Sequence, residues 1–376
     1  MMKRSSTIGL QEEAWIDDVL KGVVEQSRTG LDWNRLVRMA ANEGIAPLIF
    51  SKINKRDLRD IPDNTVKDFR DFYLGNLVRN QRTINELTKV IGFLKKDGIE
   101  VVVVKGVSLL AGVYSDVAIR SISDADLLVR YKDVDKIEGI LSDLGFRRYA
   151  ASDISSFSNE LCFEKDGLTR IELRWDMTHH DRFRLLSHLN FDDIFSNSVT
   201  SSLDGVEIRI PSPEHQLLLA IFHLSLVHHF SRRIWLYDIV AMIEHYANEF
   251  NWLDIVRLAE KYRLKDTLYY TLYKAGKQFD ADIVATEVEG IRPAEIRLKL
   301  LEISTRRRWD FAIEILLLDQ VKDIVRYLVA TLFPSKEWIK NHYRTRKRTT
   351  FYRVVHPFIM AVSSFKGIIM AMARVR

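Results

Sequence analysis

The sequence predicts an α+β fold, with a small mixed sheet set between an N-terminal helical segment and a C-terminal helical domain. Three observations predict it. Apolar residues recur at helical spacing through most of residues 10–96 and again through 217–332. Between these regions Val101, Val102, Val103 and Val104 are four consecutive β-branched residues, the mark of a strand buried on both faces. Two further strand-like runs flank Asp166-Gly167, the pair best suited to close a two-residue hairpin. The expected units are a helical segment 1–97, a sheet domain 98–211, a helical domain 212–335 and a basic amphipathic tail 336–376.

In chain order, a first helix spans 10–24. Asp32 caps a second helix that Gly44 ends, and 45–53 continues the bundle. Residues 64–96 form a long amphipathic helix with Phe69, Phe72, Leu77, Ile84, Leu87, Ile91 and Leu94 on one stripe, stopped by Asp97-Gly98. Strand 101–104 meets Gly106 and a short helix 107–113, whose first amides are free to hold an anion. A strand follows over 122–130, then a helix from Asp133 that Gly145 caps, then the hairpin strands 160–165 and 168–175, and a last strand at 206–210. Ser212-Pro213-Glu214 reads as a cap, a first-turn proline and a first-turn acid. From there the pattern is helical: 217–227, 235–245, 252–262 and 311–332.

Composition narrows the class. Of 376 residues, 47% are hydrophobic and 28% charged, with 16 Gly and 7 Pro, which excludes a disordered or collagen-like chain. Cys162 is the sole cysteine, so neither an internal disulfide nor a thiolate-rich zinc site is available. That usage and the lack of an apolar run after the basic N-terminus point to a cytoplasmic protein. A net charge of +5 favours anionic ligands without diagnosing nucleic acid. The tail differs from the rest. Arg344, Arg346, Lys347, Arg348 and Arg353, interleaved with aromatics, lead into an apolar run over 358–373, which suits a helix on a membrane surface or another protein. For 344–376 a solvated basic face, placement at the inner face of a membrane and a nucleic-acid contact all stay open.

One constellation carries chemistry. In a strand, Asp124 and Asp126 share one face while Ala125, Leu127 and Val129 share the other. In the hairpin, Glu172 falls on the polar side with Arg170 and Arg174. Paired acids on a core-side strand are costly unless something positive lies between them, most simply a divalent cation. Lys105 and Arg120 are expected phosphate contacts from charge and position, with a salt bridge to one of the acids equally open for Lys105. His223, His228 and His229 stand at spacings that do not face one another on an α-helix, and His179-His180 follow the third acid, so no histidine metal site is expected. Trp235 and Trp252 are assigned to the core.

Val104-Lys105-Gly106, Tyr114, Arg120, Asp124-Ala125-Asp126-Leu127-Leu128-Val129 and Ile171-Glu172-Leu173-Arg174-Trp175 resemble the DNA polymerase β-like nucleotidyltransferases. Within them the nearest likeness is to the bacterial uncharacterised nucleotidyltransferase-like family, over about residues 31–252. The resemblance implies a small mixed nucleotidyltransferase sheet, two Mg²⁺ ions on Asp124 and Asp126, and Glu172 on the ion that activates an acceptor hydroxyl. It also implies that Gly106 and Ser108 hold the triphosphate of an NTP. The implied reaction moves an NMP to an acceptor, whether small molecule, glycan precursor, RNA or protein, and releases pyrophosphate. Two departures stand out: Val107 separates Gly106 from Ser108, and Arg174 stands where the family often has His. They support a second expectation, a nucleotide-binding regulatory or scaffold protein of the same fold without turnover.

Overall fold

The computed structural model describes residues 8–23, 30–54, 61–149, 159–167, 170–176, 185–343, 345 and 348–359. Helices α1 (Ile8–Lys21), α2 (Trp33–Asn42) and α3 (Ala46–Asn54) lead into α4 (Asp63–Lys96). Asp32 caps α2 by accepting from the Arg35 amide, as the sequence pattern predicts. The sheet region comprises β1 (Val101–Val104), α5 (Lys105–Gly112), β2 (Asp124–Val129), α6 (Val134–Asp143), β3 (Arg147–Arg148), β4 (Glu160–Glu164), β5 (Arg170–Arg174), α7 (Phe191–Ser196), β6 (Val199–Leu203) and β7 (Val206–Ile210). Then follow α8 (Pro213–Phe222), a π-turn over His223–Val227, α9 (Arg233–His245), α10 (Trp252–Tyr262), α11 (Lys265–Phe279) and α12 (Thr286–Glu289). Helices α13 (Glu295–Arg307), α14 (Asp310–Leu316), α15 (Val321–Leu332) and α16 (Lys336–His342) complete the named elements.

The five-stranded sheet has the order β1-β2-β5-β4-β3 and is mixed: β2 runs antiparallel to β1 and parallel to β5. Its two faces are buried differently. Val101, Val103, Ala125, Leu127, Val129, Ile171 and Leu173 pack with the second half of α4 and with α6. Val102, Val104 and Leu128, on the face that also carries Asp124 and Asp126, join a larger core built from α1–α3 and the helices after β7. The helices at the two ends of the chain thus share one core. Polar contacts bind the same joint: Arg233 lies 3.2 Å from Asp17 and 3.6 Å from Glu43, and Gln278 donates to Asp17.

Several local expectations are corrected. Phe72 is exposed, and the polar Asn76 and Asn80 are buried in its place. They turn inward because each donates to backbone carbonyls of the segment before β2, Asn76 to Ala118 and Asn80 to Val117 and Arg120. Strand β6 was not anticipated. Its sequence is polar and mostly outward-facing, and it is held by pairing with β7 across Asp204-Gly205, both at positive φ as a tight hairpin turn requires. The helix expected over 311–332 is broken at residues 317–320, where Asp319 accepts from the amides of Lys265 and Asp266 at the start of α11.

Of the tail, Arg344, Arg346, Lys347 and residues 360–376 lie outside the described residues. Residues 349–359 are helical. His356 is buried there; its Nε2 meets the Thr331 carbonyl at 3.1 Å and so carries the proton, leaving Nδ1 2.7 Å from the Tyr343 hydroxyl. Among the described residues no helix is long and apolar enough to cross a membrane.

Candidate active site

Register alone brings the acids together. Val104 pairs with Asp126, and Asp126 pairs with Glu172, so the end of β1 and the middle of β5 flank the second aspartate. Parity keeps Asp124 on the same face, and oxygens of Asp124, Asp126 and Glu172 lie within 4.8 Å of one another. Like charges directly opposed in a sheet repel, so the arrangement needs cations. Two come from the chain. Lys105 places its ammonium 2.6 Å from Asp126 Oδ1. Arg174, buried on the same face of β5, reaches that oxygen through Nε at 2.5 Å, Glu160 through Nη1 at 2.6 Å and Glu172 through Nη2. Four carboxylates therefore face two fixed cations.

The protonation behaviour follows from this layout. Burial alone would push the Asp126 carboxyl up, but the charges of Lys105 and Arg174 outweigh it and hold the group far below the usual carboxylate range. Burial raises Asp124, and the neighbouring Asp126 charge raises it further against Lys105. Glu172 is likewise raised by burial and by Asp126, against the pull of Arg174. Burial opposes the charge of Arg174, yet Asp126, Glu160 and Glu172 together lift its pKa above the ordinary value.

The donor set fits a divalent cation. Asp126 is 1% exposed, and its Oδ2 is buried without a hydrogen-bond partner while Oδ1 is doubly bonded. Such an oxygen costs free energy unless a ligand meets it. Hard oxygen donors of net negative charge are what Mg²⁺ takes. Asp124, Asp126 and Glu172 would hold the metal.

The remaining expected residues are placed less uniformly. Lys105 begins α5 at φ 57°, a left-handed conformation that turns β1 directly into the helix and aims the ammonium back at Asp126. Gly106 borders a cavity of about 270 Å³ that also touches Asp124 and Lys105. A Cβ at Gly106 would lie 3.2 Å from Ile122 Cγ2 and 3.5 Å from Arg120 Nη1, so glycine keeps that wall open. Ser108 is fully buried, donates to the Lys105 carbonyl and accepts from Gln216, so its hydroxyl does not reach the cavity; the expected triphosphate contact is not available to it. Val107, after the glycine, belongs to the core beneath.

Arg120 borders the cavity, and each of its three nitrogens makes a contact within the chain. Nε and Nη2 grip Asp238 of α9 at 3.0–3.1 Å, Nη1 donates to the Ser121 carbonyl, and Tyr114 donates to the same Asp238 at 2.7 Å. Burial works against the guanidinium, but Asp238 more than compensates and raises its pKa. Arg120 therefore clamps the β2 approach to α9, and the five N–H groups of its guanidinium exceed the number these contacts use.

Two of the histidines to which the sequence assigns no metal site line the far side of this cavity. His223 and His228 meet at 3.1 Å between their Nε2 atoms, contrary to the expectation from α-helical spacing, because the π-turn widens the helix just where they sit. Burial, then the Lys105 charge, holds His223 well below its ordinary pKa. The His228 ring lies 4.2 Å from that of Trp235, which borders the cavity and is not wholly core. Trp252 packs against the main core. His179 and His180 lie outside the described residues.

No match was found among curated proteins. Among solved structures, the chain is similar to the solution structure of the antibiotic-resistance factor ANT(2'')-Ia, with 12% identity over 48% of this chain and 98% of that one, TM-score 0.29. A crystal structure of ANT(2'')-Ia with adenylyl-2''-tobramycin gives 12% identity, 44% and 98% coverage and TM-score 0.28. An antigenic nucleotidyltransferase-like protein from Paracoccidioides brasiliensis gives 14%, 58%, 96% and 0.31. A family profile described as uncharacterised nucleotidyltransferase matches residues 29–280, which include the whole sheet, all three acids and the clamp on α9. The chain belongs to the uncharacterised nucleotidyltransferase family.

Proposed function

We propose that the protein transfers an NMP from an NTP to an acceptor hydroxyl and releases pyrophosphate, using two Mg²⁺ ions held at Asp124, Asp126 and Glu172. The observation that carries this reading is the convergence of three carboxylates with the buried, unpartnered Asp126 Oδ2 at its centre. When bound, such ions neutralise the triphosphate and acidify the acceptor hydroxyl. The chain's own groups divide the remaining work. Glu172, whose carboxyl binds a proton more readily than usual, takes the acceptor's proton as its oxygen bonds to the α-phosphorus. The bond from that phosphorus to the bridging oxygen breaks, and pyrophosphate leaves. Lys105, with Gly106 open beside it, faces the entering phosphates. Arg174 holds Asp126, Glu160 and Glu172 in one orientation.

Label transfer tests this. With α-labelled NTP and Mg²⁺ the label should pass to an acceptor, while γ-label should appear only in pyrophosphate. Binding without any transfer of α-label, to any of the four acceptor classes, would instead support the regulatory or scaffold reading.

A pH dependence follows from the raised acids. Asp124 and Glu172 have folded-state pKa values above their unfolded ones. The folded state therefore binds protons more readily, and stability is lost as pH rises from the ordinary carboxylate range through the raised values. Asp126 has the opposite sign, and its contribution is lost as pH falls below the ordinary carboxylate range, outside that window. A divalent cation offsets the repulsion that ionisation creates. The melting-temperature gain from Mg²⁺ should thus be larger at pH 7.5 than at pH 5; an equal or reversed gain would speak against binding at these acids.

A further inference from the structure

A second cavity, of about 560 Å³, opens between α9, α11 and α13 on the other side of Arg232, a residue that borders both cavities. Its walls carry an unbalanced charge. Six cations line it against three carboxylates, and all three carboxylates are already engaged. Glu13 and Glu43 pair with Arg233, and Glu302 pairs with Lys277 at 2.5 Å. Arg232, Lys274, Arg306 and Arg308 have no carboxylate partner among the described residues. Arg232 lies over the Trp235 ring at 5.3 Å, and Lys274 faces the Phe230 ring at 5.8 Å.

Lys274 is the most telling of the four. It is half-buried, and burial lowers its pKa against the pull of Glu302, helped by Arg233 and Lys277. An ammonium withdrawn from water, its nearest carboxylate Glu302 already bonded to Lys277, is held at a cost that an anion in the cavity would reduce. Guanidinium groups at Arg232, Arg306 and Arg308 present paired donors, the geometry that phosphate oxygens match. The volume far exceeds that of a phosphate ion and lies within the range of small-molecule pockets. The Ser231 hydroxyl on the same wall suits a hydroxyl-bearing body.

We propose that this second cavity binds a phosphomonoester of a sugar-sized, hydroxyl-bearing molecule, its phosphate held by Arg232, Lys274, Arg306 and Arg308. Such a molecule reaches toward Arg232 and the catalytic cavity, where its hydroxyl is the class of acceptor the transfer would use. That last clause rests on the transferase reading; the binding does not.

The test is calorimetric titration in EDTA with glucose 6-phosphate, ribose 5-phosphate and glycerol 3-phosphate, beside inorganic phosphate and glucose. At least one phosphomonoester should bind wild type and Asp126→Asn alike. The same ester should bind Lys274→Gln/Arg308→Gln and the exposed-residue variant Arg306→Gln/Arg308→Gln at least tenfold more weakly, and glucose should not bind. The second variant changes side chains at the surface, so it stays informative if loss of Lys274 unfolds the protein. Absence of phosphomonoester binding, inorganic phosphate binding as tightly, or loss of binding in Asp126→Asn with retention in both cavity variants would each overturn the proposal. If binding holds and label transfer fails, the transferase reading alone is at fault.

Discussion

Replacing Asp126 with asparagine is expected to lower transfer of α-label about 10³-fold, the scale seen when a preorganised charge at a reacting phosphoryl or acyl centre is removed. The stability cost should be far smaller, about 1–2 kcal/mol, because neutralising Asp126 acts in two directions. It takes a counter-charge from Lys105 and Arg174, yet Arg174 keeps Glu160 and Glu172. It also removes the repulsion that raises Asp124 and Glu172. Urea unfolding alongside the label assay separates the two effects. Wild-type transfer by the variant would sink the site assignment. A collapse in stability larger than the catalytic loss would show that Asp126 serves mainly to hold the fold.

Asp238→Asn should behave in the opposite proportion. Arg120 and Asp238 are both almost fully withdrawn from water, and Tyr114 hydrogen-bonds the same carboxylate. Removing one charge of a buried pair leaves the other uncompensated, which costs about 3–5 kcal/mol. The expected result is a urea midpoint lowered by that free energy divided by the slope, with the slope itself unchanged. Arg120→Met combined with Asp238→Leu removes both charges and should recover most of the loss, since burying an ion pair is itself expensive. If the double variant were as unstable as the single one, packing around Arg120 and not its charge would be what the clamp supplies. Activity should fall in both, because Asn80 and Arg120 together position the segment that leads into Asp124.

The parts of this molecule that could be read from the sequence are those set by neighbours along the chain. Asp32 and Ser212 declare helix starts, Asp166-Gly167 declares a hairpin, and alternation in Asp124–Val129 separates acids from core. Glu172 was legible because the alternation of Ile171 and Leu173 with Arg170, Glu172 and Arg174 fixes the parity of β5, although the observed register, Cys162 opposite Glu172, is one residue off what a two-residue turn at Asp166-Gly167 would give. What stayed hidden depends on residues far apart. Arg120 finds Asp238 across 118 positions, and no local pattern marks an arginine as a clamp over a phosphate contact. Ser108 looked free because the helix that covers it, carrying Gln216, comes 108 residues later. The meeting of His223 and His228 needs a π-turn, which shifts the helical phase that spacing arguments assume. The second cavity draws its cations from α9, α11, α13 and the residues just outside α9 and α13, which are scattered in sequence and gathered only by packing.

The core shared by both ends of the chain bears on how the protein is made. Trp15, Ile16, Leu36 and Ile49 leave the ribosome early, yet the partners that cover them include Ile234, Leu268 and Tyr270. Arg233 joins Asp17 across 216 residues. At ordinary elongation rates of about 5–20 residues per second, that separation leaves the early helices waiting some ten seconds or more for their cover. The nascent chain therefore travels with an apolar surface that only its own later half can close. Production at lowered temperature or with added chaperones should favour the soluble form for this reason, whatever the acceptor of the reaction proves to be.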